Sequence, residues 1–210
     1  TVLVLAVRGQ PVAPAKRGFG FRDVLANSRL VILCILAVFI FLALFLGQPF
    51  APNYLEEVVG LDLAWIGFLG SAHALGATVL GVILGRMSQG IGGLVAGQAL
   101  VLASLVILLG SQAMPLLAVS FFLRGAFSAS RALALGQMGK VVGEAASGLA
   151  YGLLNTAMGL PWVLGPYLAA WLYTASPSLP FLVSAVMIGV MMLVTVVLLR
   201  GEAAVEEVLS

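Results

Sequence analysis

This chain has little of what a water-facing surface is built from. Only 9% of its 210 residues are charged, where soluble domains carry roughly a quarter. A shell that poor in charge excludes an ordinary soluble globule, so most of the outer surface must face lipid. The chain has one cysteine, Cys34, and one histidine, His73. A lone cysteine excludes an internal disulfide and any Cys-x-x-Cys site. A lone histidine excludes the His-Glu-x-x-His zinc motif, and Gly-x-Ser-x-Gly is absent as well. No metal and no cofactor is expected, and no enzyme. An intramembrane serine protease would need a serine–histidine pair, and no spacing places a serine with His73. Acids are missing where they would be costly: Asp23, Glu56, Glu57, Asp62, Glu144, Glu202, Glu206 and Glu207 all lie outside the long apolar runs.

What is present is apolar: 62% of the residues are hydrophobic and the mean hydropathy is +1.17. A helix crossing a bilayer needs about 20 mainly apolar residues. Six stretches qualify: Leu30–Leu46, Ala64–Leu84, Leu94–Leu109, Pro115 to about Met138, Ala145–Leu172 and Pro180–Leu199. They are too long for barrel strands and do not alternate, so helices are expected. The turns between them are short and rich in Gly, Ser, Pro and charge. The expected organisation is a cytoplasmic segment over 1–29, a six-helix membrane bundle over 30–200 and a cytoplasmic tail over 201–210. The chain starts at Thr1, and "TVLVLAVR" reads as the end of a preceding helix. It is too short for a signal peptide with its cleavage site.

Orientation follows from the basic residues. Arg8, Lys16, Arg17, Arg22 and Arg29 precede the first span, and Arg86, Arg131, Lys140 and Arg200 fall on the same side. The opposite side carries Glu56, Glu57 and Asp62 instead. Under the positive-inside rule both ends of the segment are cytoplasmic, in a cytoplasmic (inner) membrane. The net charge of +2 is too small to point to nucleic acid.

Glycine is abundant inside the spans. Gly67, Gly70, Gly76, Gly81 and Gly85 lie on the second, and Gly148, Gly152, Gly159 and Gly165 on the fifth. Lipid tails do not drive helices together, so small residues that let backbones touch are the usual device. Gly81-x-x-x-Gly85, Gly93-x-x-x-Gly97 and Gly148-x-x-x-Gly152 fit that device. The two glycine-rich spans are each the middle helix of a group of three, as in transporters built from three-plus-three inverted repeats.

Two motifs carry a family resemblance. "GRMSQGIGG", Gly85 to Gly93, resembles the G-x-L-[SA]-D-R-x-G-R loop of the major facilitator superfamily, with Gln89, Gly90 and Gly93 in place of the charged positions. "GLLNTAMGLPWVLGPYLAA", Gly152 to Ala170, resembles the superfamily's antiporter pattern G-x8-G-x3-G-P-x2-G-G. It keeps Gly152, Gly165 and Pro166, with Pro161, Ala169 and Ala170 at the substituted positions. The resemblance covers nearly the whole chain. It implies the C-terminal half of such a transporter, helices seven to twelve, paired with an N-terminal six-helix half. The implied function is a permease or efflux pump, an antiporter by the second motif, moving a small solute, with or without a proton, by alternating access. Gly85, Arg86 and Gln89 would belong to the gate, and Gly152, Pro161, Gly165 and Pro166 to a hinge. The altered loop leaves open a transport-inactive sensor or assembly subunit of the same fold.

Three polar groups fall near the middle of the bilayer, counted at about 1.5 Å per residue. His73 and Arg124 lie ~13 Å from the ends of their spans, and Asn155 ~15 Å. Transporter substrate sites lie at that depth, and an ionisable group there is a functional candidate by default. For each the plainer role stands beside it: interior pairing or snorkelling for Arg124, a tolerated neutral imidazole for His73, and interhelical hydrogen bonding for Asn155. His73 is also the one side chain in these spans that titrates near neutral pH, so a coupling carboxylate is expected outside this segment. The six-span map predicts that cysteines placed at Glu56 and Lys140 label from opposite faces of intact cells. Labelling of both from one face would refute the map.

Overall fold

The computed structural model describes residues 28–87, 92–141 and 147–209. The segment before Ser28, residues 88–91 with Gln89, and residues 142–146 with Glu144 lie outside the described residues. Eight helices make up the described chain: α1 Ser28–Phe45, α2 Ala51–Glu57, α3 Leu63–Met87, α4 Gly92–Gly110, α5 Met114–Arg124, α6 Ala126–Val141, α7 Ser147–Ala175 and α8 Leu179–Leu209. They account for six spans, with α2 between the first two and α5 and α6 forming the fourth together.

Four stretches are long and apolar enough to cross a membrane by length and composition: Leu63–Arg86, Gly92–Gly110, Met114–Ala134 and Leu179–Val197. The apolar part of α1 is shorter, Val31–Phe45, and its run continues through buried Leu46. The 29-residue α7 is long enough, but its hydropathy is diluted by glycine, proline, Asn155 and three polar hydroxyl residues. Exposed side chains on these helices are large and apolar, among them Leu63, Val163, Trp171, Val186 and Val197. Such a surface suits lipid or another apolar partner and not water.

Local chemistry sets the boundaries. Pro49 disfavours helix at Gln48, and α1 ends there in a bend. Pro52 sits in the first turn of α2, where its missing N–H costs nothing. Gly60 takes φ 78°, a conformation open to glycine, and lets the Leu61 N–H reach back to the Leu55 carbonyl at 2.9 Å. Asp62 then caps α3: its Oδ1 accepts from the Trp65 N–H at 3.0 Å. The last apolar span ends at Val197, close to the expected Leu199, while α8 itself continues to Leu209. Its final turns, Glu-Ala-Ala-Val-Glu-Glu, are strong helix formers and follow no proline. The sequence reading missed α2 because seven residues between turns leave no periodic signal.

The packing repeats. The first span, α1, lies mainly against α7 and α8, the fifth and sixth. The fourth span, α5 with α6, lies against α3 and α4, the second and third. Exchanging the first three spans for the last three therefore maps one set of contacts on the other, as a three-plus-three repeat requires.

Glycines make the close crossings, though not mainly the ones the spacing singled out. A Cβ at Gly76 would fall on the Phe122 carbonyl, and one at Gly125 on the main chain of Gly76 and Ala77. Here α3 meets the α5–α6 junction backbone to backbone. In the matching place on the other repeat, a Cβ at Gly165 of α7 would meet the Phe45 ring of α1 at 2.6 Å. Of the spaced pairs, Gly97 packs under Ser130, whereas a Cβ at Gly81, Gly85, Gly148 or Gly152 would meet nothing within 4 Å among the described residues. The pattern marks small faces, but only contact decides which are used inside this bundle. Gly76→Val should destabilise the protein by about 1–3 kcal/mol or more, since overpacking a closed crossing forces the backbones apart. Gly189→Ala, with open space around it, should not. Thermal unfolding in detergent measures both, and equal midpoints would refute the crossing.

Candidate functional site

A groove of roughly 360 Å³ opens between α1, α3, α6 and α7, lined by Phe45, Gln48, His73, Phe127, Ser128, Arg131 and Trp162. The first, second, fourth and fifth spans therefore each supply part of its wall.

Its apolar side is aromatic. Phe45 and Trp162 are 4.7 Å apart between ring centroids, Phe127 and Trp162 6.1 Å, and Phe45 and Phe127 6.0 Å. Each ring comes from a different helix. Gly165, one turn along α7 from Trp162, leaves the space that Phe45 occupies. Pro161 is buried and Pro166 half-buried on the same helix. Each proline removes the N–H that would bond the carbonyl four residues earlier, at Ala157 and Trp162. Even so, α7 runs unbroken through both.

The polar side is basic. Arg131 of α6 donates from Nη2 to Asn155 Oδ1 of α7 at 3.0 Å. This exposed pair joins the fourth and fifth spans; Asn155 itself does not line the groove, and its bond orients Arg131, which does. Arg131, counted from the sequence among the cytoplasmic-side cations, lines the groove instead of standing free of it; distance along a helix says nothing of which way a side chain faces. His73 of α3 stands on the opposite wall, beside the Phe121 main chain and within electrostatic reach of Arg124. Its Nδ1 is buried without a hydrogen-bond partner among the described residues.

Arg124 is 2% exposed and does not line the groove. It lies behind it, where the chain breaks between α5 and α6. Its Nε donates to Gln48 Oε1 at 2.5 Å, its Nη2 donates to the Gly47 carbonyl, and its guanidinium carbon sits 5.3 Å from the Phe121 ring centre. That distance suits a cation–π contact. The carbonyls at the end of α1 lack intrahelical donors and form the negative end of the helix dipole. A buried guanidinium is thus accommodated without a carboxylate beside it. Nη1 is left without a partner among the described residues. Gln48 connects the two layers, because it holds Arg124 on one side and lines the groove on the other. The sequence signal for Gln48 was present but slight: a polar residue before a proline at the end of an unbroken apolar run.

The remaining expected site residues lie elsewhere. Gly85 and Arg86 are exposed at the last turn of α3, and Gln89 falls outside the described residues. Gly152 is exposed on α7, its carbonyl accepting from Thr156 Oγ1 at 2.8 Å. At the far end of α7, Tyr173 donates to Glu57 Oε2 of α2 at 2.7 Å and stacks on Phe50 at 4.8 Å. That tie closes the end of the bundle that bears α2.

Among known proteins, a family model described as Major Facilitator Superfamily matches residues 33–209. No curated protein and no solved structure matches the chain. With six helical spans in two matching sets of three, and a family match over most of its length, this chain belongs to the major facilitator superfamily of membrane transporters.

Proposed function

We propose that the chain is the C-terminal half of a secondary transporter that moves a small solute by alternating access. The observation that carries this reading is the groove itself. It joins four spans and gathers Gln48, His73, Ser128 and Arg131 beside an aromatic wall. A purely structural bundle gains nothing from leaving His73 Nδ1 buried without a partner among the described residues, since that costs free energy in a dry interior. In a transporter that group meets a passing solute or the facing half of the protein, while Arg124, behind the groove, holds Gln48 in its lining.

The missing wall is an N-terminal six-helix half. Rocking of one half against the other would open the groove alternately to each side. The α2 end would be external, closed in this conformation by Tyr173 and Glu57, with Gly85, Arg86 and Gln89 at the cytoplasmic gate. Pro161 and Pro166 would let α7 bend by weakening its hydrogen-bond ladder, with Gly152 and Gly165 giving its neighbours room to slide. An antiporter or efflux pump in an inner membrane fits the glycine–proline pattern of α7. A transport-inactive sensor is favoured only by the uncharged loop at Gln89 to Gly93, and transport measured in vesicles separates the two.

Arg124→Ala should lower transport by about tenfold or more, because it strips Gly47 and Gln48 of a buried charged donor, while membrane insertion stays intact. Unchanged transport would leave Arg124 a dispensable structural residue. Energy coupling is assigned to a carboxylate outside this segment, with His73 modulating it. Transport by His73→Gln should therefore keep its dependence on pH, and a profile made flat by that substitution would move the coupling site to His73.

A further inference from the structure

We propose that the groove between α1, α3, α6 and α7 binds an organic anion carrying a planar apolar ring, with Arg131 holding the oxyanion and Phe45, Phe127 and Trp162 enclosing the ring. The inference rests on the transport reading only in taking the groove as the path of the cargo.

Charge comes first. The lining holds Arg131 and no carboxylate, and a second guanidinium, Arg124, lies one shell behind it, bonded to the lining residue Gln48. Both charges have the same sign, so this wall of the groove repels a cationic solute and attracts an anionic one. Arg131 is also prepared for an anion. Its bond to Asn155 engages one of its five N–H groups. The head is thereby oriented while donors remain for a bidentate grip on a carboxylate or similar oxyanion. The unpartnered Nδ1 of His73 on the facing wall offers a further polar contact.

Shape comes second. Three aromatic side chains from three helices approach to between 4.7 and 6.1 Å on one side of the groove. Such a wall favours offset or edge-to-face contact with another ring over a flexible chain. A volume near 360 Å³ lies at the small end of ligand pockets, which run from about 300 to 1,000 Å³. One or two fused rings with a single acidic group fit the part of the space that this chain bounds.

The test is equilibrium binding of radiolabelled 2-naphthoate to the full-length protein purified in detergent. Saturable binding is expected, competed by unlabelled naphthoate but neither by 2-naphthylmethanol nor by 2-naphthylmethylammonium. Arg131→Gln should weaken it by about tenfold or more. Arg131→Lys, which keeps the charge and loses the fork, should weaken it less. Trp162→Leu should weaken naphthoate without admitting the ammonium compound. Absence of saturable binding, competition by the ammonium compound as strong as by naphthoate, or an unchanged affinity in Arg131→Gln would each overturn the proposal. Should Arg131→Gln fail to fold, as judged by its thermal unfolding, the competition series and Trp162→Leu decide the matter. Binding is read without transport, so the two readings fail separately. A protein that binds naphthoate but moves no solute refutes the transporter, and one that moves a cation while ignoring naphthoate refutes the anion site.

Discussion

The contact on which this bundle turns is the meeting of two backbones at Gly76 and Gly125. Nothing larger than hydrogen fits on either side, because a Cβ at one position would fall on Phe122 and at the other on Ala77. In lipid, close approach of this kind replaces the hydrophobic effect as the force that joins helices. It also coincides with the point where the fourth span breaks between α5 and α6. Arg124 is the last residue before that break, so the crossing decides where its charge goes. Once α3 and the junction are pressed together, Arg124 is turned inward to the end of α1 and away from lipid.

The same arrangement recurs in the other repeat with different chemistry. Gly165 of α7 admits the Phe45 ring of α1, where Gly76 of α3 admits main chain of the fourth span. One crossing is therefore tight and polar and the other looser and aromatic. The groove lies between them, which explains its two unlike walls: His73 and Gln48 beside Arg124, and Phe45 with Trp162 beside Gly165. An inverted repeat needs only the backbone to be symmetric, and side chains at equivalent places can diverge to give one site two kinds of surface.

Tolerance of a buried arginine follows from how its partners are made. The carbonyl of Gly47 is available because α1 has just ended, and Gln48 leaves the helix because Pro49 follows it. An aromatic ring, Phe121, covers the guanidinium face. The cation is thus held by dipoles and a ring quadrupole, with no acid required. This accounts for a sequence whose long apolar runs contain Arg124 yet no aspartate or glutamate.

Length and hydropathy were enough to determine an all-helical membrane class, because a bilayer allows few solutions for a chain with 9% charge, while the family was legible only through the two motifs at Gly85–Gly93 and Gly152–Ala170. The places of His73, Arg124 and Asn155 along their helices could also be counted, since rise per residue hardly varies. Direction around the helix axis could not. With nearly every neighbour apolar, periodicity has no contrast from which to tell a face turned to lipid from one turned to protein. Contact alone showed that Arg131 lines the groove and bonds Asn155 beside it, that Arg124 stands behind the groove, and that Gly76 pairs with Gly125 while Gly81 meets nothing among the described residues. Those outcomes depend on residues distant in the chain, and local sequence carries no record of which distant helix a given face will meet.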